Sequence, residues 1–233
     1  YLGSPMWDRP FETLGKMTLQ DWGQGAGALG SAWPYILVGT GAVLVSSAGD
    51  RAVDRYVKDH AGSSAIDRLA SFGEWSPLAA VGVAGLAALS ESNSRLSSTG
   101  IAALQAGATG YVASAGLKYA VGRARPAAES GPTDFEPFGR SDASFPSSHA
   151  TIMWAAVTPF AREYDAPWLY GLAALTNAGR IASREHWLSD TVASTVIGWA
   201  IGDFFWEQRK KGGEKAPKVA ISPSGVTLMW ETK

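Results

Sequence analysis

The chain has no cysteine, which excludes disulfides, zinc–thiolate centres and a cysteine nucleophile. It has only three histidines in 233 residues, so chemistry that needs an imidazole has few positions to use. It also lacks a strong charge of either sign. Twenty Lys and Arg against 21 Asp and Glu leave a net charge of −1, which argues against a nucleic-acid partner held by a basic surface. Long apolar runs are missing as well. The apolar stretches 34–47, 77–90, 101–117, 151–160, 167–178 and 191–206 mostly fall short of the roughly 20 residues that a spanning helix requires. Mean hydropathy is −0.02, low for a multi-spanning protein.

What is present is a 46% hydrophobic chain, enough for one domain to bury a substantial core. The apolar stretches are rich in Ala, Gly and Val and are separated by Gly, Pro, Ser and Asp, a pattern that predicts helix after helix over 33–206. Small residues permit close helix packing. Residues 1–30 are polar, aromatic and Gly-rich, with a short amphipathic helix expected over 11–22. The segment 127–144 is polar, with Gly and Pro, and is expected to form a rim over a site. After a basic exit at 208–211, residues 212–233 carry two short strand patterns around Ser222-Pro223-Ser224-Gly225, a hairpin signal. Such a hairpin is expected to dock on the bundle, because it is marginal alone. The ten tryptophans, among them Trp7, Trp22 and Trp33, suit either a core or a membrane-surface contact. The opening Tyr1, in place of Met, suits a processed product, and an extracytoplasmic location is expected.

Three segments carry the chemistry. Lys118 and Arg125 are seven residues apart, two helical turns, which predicts one face of a helix ending at Pro126. Two cations there suit an anion clamp, although the pair taken alone reads first as an exposed basic stripe; Arg123 falls on another face, in solvent. In Pro146-Ser147-Ser148-His149, Ser147 or Ser148 is an N-cap candidate for the helix over 151–160. Free N–H groups at that helix start suit an anion, and His149 in the first turn can deliver a proton to an oxygen bound there. In the third segment Arg180 precedes His186 by six residues, so a helix break must lie between them. Ser183-Arg184 stands too close to His186 to take the same part. Ser189 is expected to cap the helix from Asp190 onward. Asp190, four residues after His186, is placed to accept its Nδ1–H and leave Nε2 free for attack. His60 has no motif partner and reads as a surface or loop residue.

Together these motifs resemble the type 2 phosphatidic acid phosphatase superfamily, which includes bacterial class A acid phosphatases and vanadium-dependent haloperoxidases. Its pattern is Lys-x6-Arg-Pro, Pro-Ser-Gly-His and Ser-Arg-x5-His-x3-Asp. The chain supplies Lys118, Arg125 and Pro126, then Pro146, Ser147 and His149, then Arg180, His186 and Asp190, in that order. It departs twice: Ser148 stands for the glycine and Gly179 for the serine.

The resemblance implies a single all-α domain, a helical bundle of the acid phosphatase and haloperoxidase type, here with a short C-terminal β-hairpin. It implies catalytic His186, His149 and Asp190, and phosphate binding by Lys118, Arg125, Ser147, Ser148 and Arg180. His186 would attack phosphorus and form a phosphohistidine, and His149 would protonate the departing oxygen. Three fixed cations would neutralise the phosphoryl oxygens, so no metal or other cofactor is called for. The expected substrate is a phosphate monoester or pyrophosphate ester, with a lipid phosphate at a membrane surface favoured. Two alternatives use the same pocket: a vanadate-dependent haloperoxidase and a non-catalytic, membrane-associated phosphate-binding protein.

Overall fold

Ser63, Asn93 and Ser147 stand in extended backbone and accept the N–H three residues on, from Ile66, Leu96 and Ala150. Each satisfies an orphan donor and so starts a helix. The computed structural model describes residues 33–90, 92–211, 218–222 and 225–229. Helices α1 (Trp33–Ser47), α2 (Asp50–Asp59), α3 (Ser64–Ala88) and α4 (Ser94–Val121) come first. A 3₁₀ turn at Pro126–Ala128 interrupts the run, and α5 (Ser148–Glu163), α6 (Leu169–Ala182) and α7 (Leu188–Lys211) complete it. Helix α5 packs on α4 and α7, and α3 packs on α4 and α6, with α1 against α7. Pro77 lies inside α3 rather than opening a helix, because the Ser63 cap nucleates α3 earlier. Segments β1 (Lys218–Ser222) and β2 (Gly225–Met229) pair antiparallel, Lys218 opposite Met229. The expected turn at Pro223 and Ser224, the 11–22 helix, and Trp7 and Trp22 lie outside the described residues.

The core is built from small side chains. Ala102, Ala106, Ala155 and Phe205 form one cluster, and Met153, Val157 and Ala173 form another. Tryptophan divides between roles. Trp187 and Trp206 are buried, whereas Trp75 and Trp168 are exposed. Helix α3 exposes Trp75, Leu78, Val83 and Leu86, and α1 exposes Ile36, Leu37, Val38, Leu44 and Val45. Among the described residues no single helix is long and apolar enough to cross a membrane. Residues Ile36–Ser47 and Asp50–Asp59 pass that test only as a pair, bent by 49°.

Helix α4 stops at Val121, so Lys118 and Arg125 do not share a helix as the spacing predicts. Gly122 adopts φ 59, a left-handed conformation, and its N–H bonds the Lys118 carbonyl. A Cβ at Gly122 would meet the Glu136 carbonyl oxygen at 1.9 Å, so only glycine turns the chain here. The chain then runs extended, with Ala124 N–H bonded to the Asp134 carbonyl and Glu136 N–H to that of Gly122. This pairing ties the chain just before the 127–144 segment to the middle of that segment.

Candidate active site

His186 sits between α6 and α7, in the break that its spacing from Arg180 requires. Its ring is buried and its Nδ1 lies 2.7 Å from the Ser144 carbonyl oxygen. A carbonyl can only accept, so Nδ1 carries the proton and Nε2 keeps its lone pair. Burial, and then the positive charges of Lys118 and Arg180, hold the imidazole well below its ordinary pKa. A neutral ring with a free Nε2 is the form a nucleophile needs.

The expected acceptor, Asp190, does not hold this ring. Its Oδ2 stands 3.9 Å from His186 Nδ1 and accepts the Trp187 N–H at 2.9 Å. The four-residue spacing fails because His186 precedes the first turn of α7, where same-face geometry does not apply. Nor does Ser189 cap that helix, since Leu188 already begins it. Asp50 of α2 takes the Ser189 N–H at 2.9 Å and its hydroxyl at 2.7 Å.

Arg123 is buried rather than solvated. Its guanidinium joins Asp50 at 2.7 Å, Asp190 at 2.5 Å, the Ser189 hydroxyl at 2.8 Å and the Pro132 carbonyl at 2.9 Å. The extended backbone after Gly122 turns this side chain inward, where a helix would have left it outside. Burial raises the Asp190 carboxyl, and Arg123 opposes the rise.

The end of the 127–144 segment holds two cations. Lys118 Nζ donates to the carbonyls of Ala143 at 2.6 Å and Ser144 at 3.2 Å, and Arg125 Nε donates to that of Asp142 at 2.8 Å. Burial, then Arg125 close by, lowers Lys118 to about 8. Arg180 approaches from the last turn of α6, nearly inaccessible, and its Nε has no partner among the described residues. A buried guanidinium donor left over in this way fits an oxyanion ligand. The three cations act together on both His149 and His186.

Ser147 caps α5, and its own N–H donates to Ser194 of α7 at 2.8 Å, which ties the two helix starts together. Ser148 is the first helical residue, and its hydroxyl accepts from Ser114 at 3.0 Å. His149 follows, partly exposed, and burial and then Arg180 lower its pKa. Two carboxylates also reach the site. Glu185 pairs with Arg125 and lies 4.0 Å from Arg180, and Glu74 pairs with Arg180. Ser183-Arg184 points elsewhere: Arg184 binds Asp54 at 2.8 Å and Glu129 at 3.2 Å. His60 is exposed, with Nδ1 at 2.8 Å from the Tyr56 carbonyl.

Residues 99–214, which contain every one of the expected site residues, match the family described as the PAP2 superfamily. The chain belongs to the PAP2 superfamily. A lipid A 1-phosphatase of Porphyromonas gingivalis is 32% identical over 96 residues, covering 38% of this chain. The chain covers only 19% of that relative's length. No solved structure matches.

Both departures from the PAP2 pattern have a local cause. Ser148 lies in the helix with no positive φ, so it needs no glycine. Gly179 lies against α3, where a Cβ would be 2.3 Å from the Leu69 carbonyl oxygen. Asp50, Arg123 and Glu74 also take part in the site or its support, and motif spacing signals none of them. The first and last lie far upstream of the PAP2 motifs and come in through tertiary packing. Glu74 does stand out in sequence as the sole charged residue from Leu69 to Ala88.

Proposed function

We propose that the chain is a phosphatase that hydrolyses a phosphate monoester, a lipid phosphate in particular, through a phosphohistidine. The observation that carries this reading is the hydrogen bond from His186 Nδ1–H to the Ser144 carbonyl. It leaves Nε2 as a nucleophile amid Lys118, Arg125 and Arg180. His186 Nε2 attacks phosphorus, the ester P–O bond breaks, and His149 gives its proton to the departing oxygen. His149 then takes a proton from water, whose oxygen attacks phosphorus as the P–N bond breaks, and phosphate leaves. The three cations neutralise charge on the equatorial oxygens throughout, aided by N–H groups at the start of α5. The carbonyl of Ser144 stabilises the phosphorylated imidazolium, and Asp190 adds negative charge nearby.

A lipid substrate is supported by the exposed apolar side chains of α1 and α3, which suit contact with a membrane surface. The named activity of the P. gingivalis relative points the same way. The test is phosphate release from lipid and soluble phosphates by the detergent-free chain and its His186→Ala variant. The variant is expected to keep its fold by circular dichroism and lose turnover. Retained turnover would sink the reading. Vanadate should inhibit, because it mimics the trigonal-bipyramidal transition state.

A further inference from the structure

Helices α3 and α6 meet backbone to backbone. A Cβ on Gly73 would lie 2.7 Å from Gly179 Cα and 2.9 Å from Arg180 N, and one on Gly179 would lie 2.6 Å from Gly73 Cα. Two glycines at one crossing therefore bring α3 closer than any side chain would allow. The next residue along α3 is Glu74, and the close crossing delivers its carboxylate onto the Arg180 guanidinium. Its other oxygen stands 3.5 Å from His149 Nε2. One carboxylate thus spans a phosphate-binding cation and the proton donor.

The surroundings of His149 make that contact matter. Partial burial first, and then Arg180 on α6, Lys118 on α4 and Arg125 beyond the turn, all oppose a positive charge on the ring. Glu74 is the one charged group acting on His149 in the opposite sense among these. A proton donor placed among three cations needs such an anion. The incoming phosphate supplies one, but its charge is shared with the cations. Burial acts to raise the Glu74 carboxyl, yet Arg180 and His149 outweigh it and keep it ionised.

We propose that Glu74 is a positioning residue for leaving-group protonation, holding the His149 ring through Nε2 and favouring its protonated form. The inference rests on the reading of His149 as the donor. Its physical content is specific: Glu74 matters where the departing oxygen needs a proton and matters little where it does not.

The experiment compares Glu74→Gln and Glu74→Asp in the full chain on two substrates. One is nitrophenyl phosphate, whose phenolate departs unprotonated; the other is a simple alkyl phosphate, whose alkoxide needs the proton. Glu74→Gln should lower kcat/KM for the alkyl ester on the order of 10- to 100-fold and for the aryl ester only a few-fold. The alkaline limb of the alkyl-ester profile should move to lower pH, with partial recovery in Glu74→Asp. His149→Ala should show the same dependence on leaving group, and adding Glu74→Gln to it should cost nothing further on the alkyl ester. Equal losses on both esters with an unmoved limb would overturn the role, as would a further loss in the double variant. Turnover that survives His186→Ala sinks the phosphohistidine reading itself, a different result from either.

Discussion

His186 Nδ1 lies 2.7 Å from the Ser144 carbonyl and 3.9 Å from Asp190 Oδ2, so a backbone oxygen sets the tautomer of the His186 ring. Asp190 is committed elsewhere, to Arg123 and to the Trp187 N–H. It anchors the approach to α7, and through Arg123 it joins α7 to α2 and to the extended chain after Gly122.

This division of labour gives a clear expectation for Asp190→Asn. Replacing Asp190 leaves Arg123 still paired with Asp50, so no buried charge is orphaned and the loss is that of charge-assisted hydrogen bonds, about 1.5–3 kcal/mol. Thermal melting should fall accordingly. Phosphate release measured below the new melting point should persist at reduced rate, because Ser144 still orients the ring. Unchanged melting with turnover abolished would instead assign Asp190 directly to the imidazole.

Lys118 predicts a pH dependence of phosphate binding. Its ammonium is charged below about 8 and neutral above it in the free protein. Bound phosphate favours the charged form, so affinity should weaken as pH rises through that value. Inhibition by inorganic phosphate, measured from pH 6.5 to 9.5, should show the loss. Lys118→Arg should flatten the profile, since a guanidinium keeps its charge throughout. A flat profile in the unmodified chain contradicts the assignment.

The two departures from the family pattern should answer differently when reversed. Gly179→Ser places a Cβ against the Leu69 carbonyl oxygen and Gly73 Cα, and α3 must shift away. Overpacking of this kind costs roughly 1–3 kcal/mol, readable in a thermal melt. Ser148→Gly loses the hydroxyl contact with Ser114 and some helix propensity, roughly 0.5–1 kcal/mol. It should leave KM near its starting value, because the backbone N–H remains. A neutral Gly179→Ser would show that the crossing is more compliant than its contacts imply.

The site was legible where its parts are local. A serine cap at 147 or 148 follows from two serines before an apolar run, with Ser147 the one that caps, and the choice of Arg180 over Arg184 follows from spacing to His186. Arg184 indeed turns to Asp54 and Glu129. The differences between spacing and structure share one origin: helical spacing does not carry across Gly122 or across the approach to α7, where the backbone is not helical. Lys118 and Arg125 therefore come from two different elements, Arg123 turns inward, and His186 and Asp190 fail to pair.

The sequence by itself determined the helical architecture from 33 onward, the family, and the set of cations and histidines that converge. Those depend on periodicity, caps and motif spacing, all properties of neighbouring residues. Tertiary structure alone decided who orients His186, what Arg123 holds, and that Glu74 stands beside His149 and Arg180. These are contacts between segments as far apart as Glu74 and Arg180, 106 residues in the chain. They depend on how closely two helices approach, and here a pair of glycines with no Cβ sets that distance.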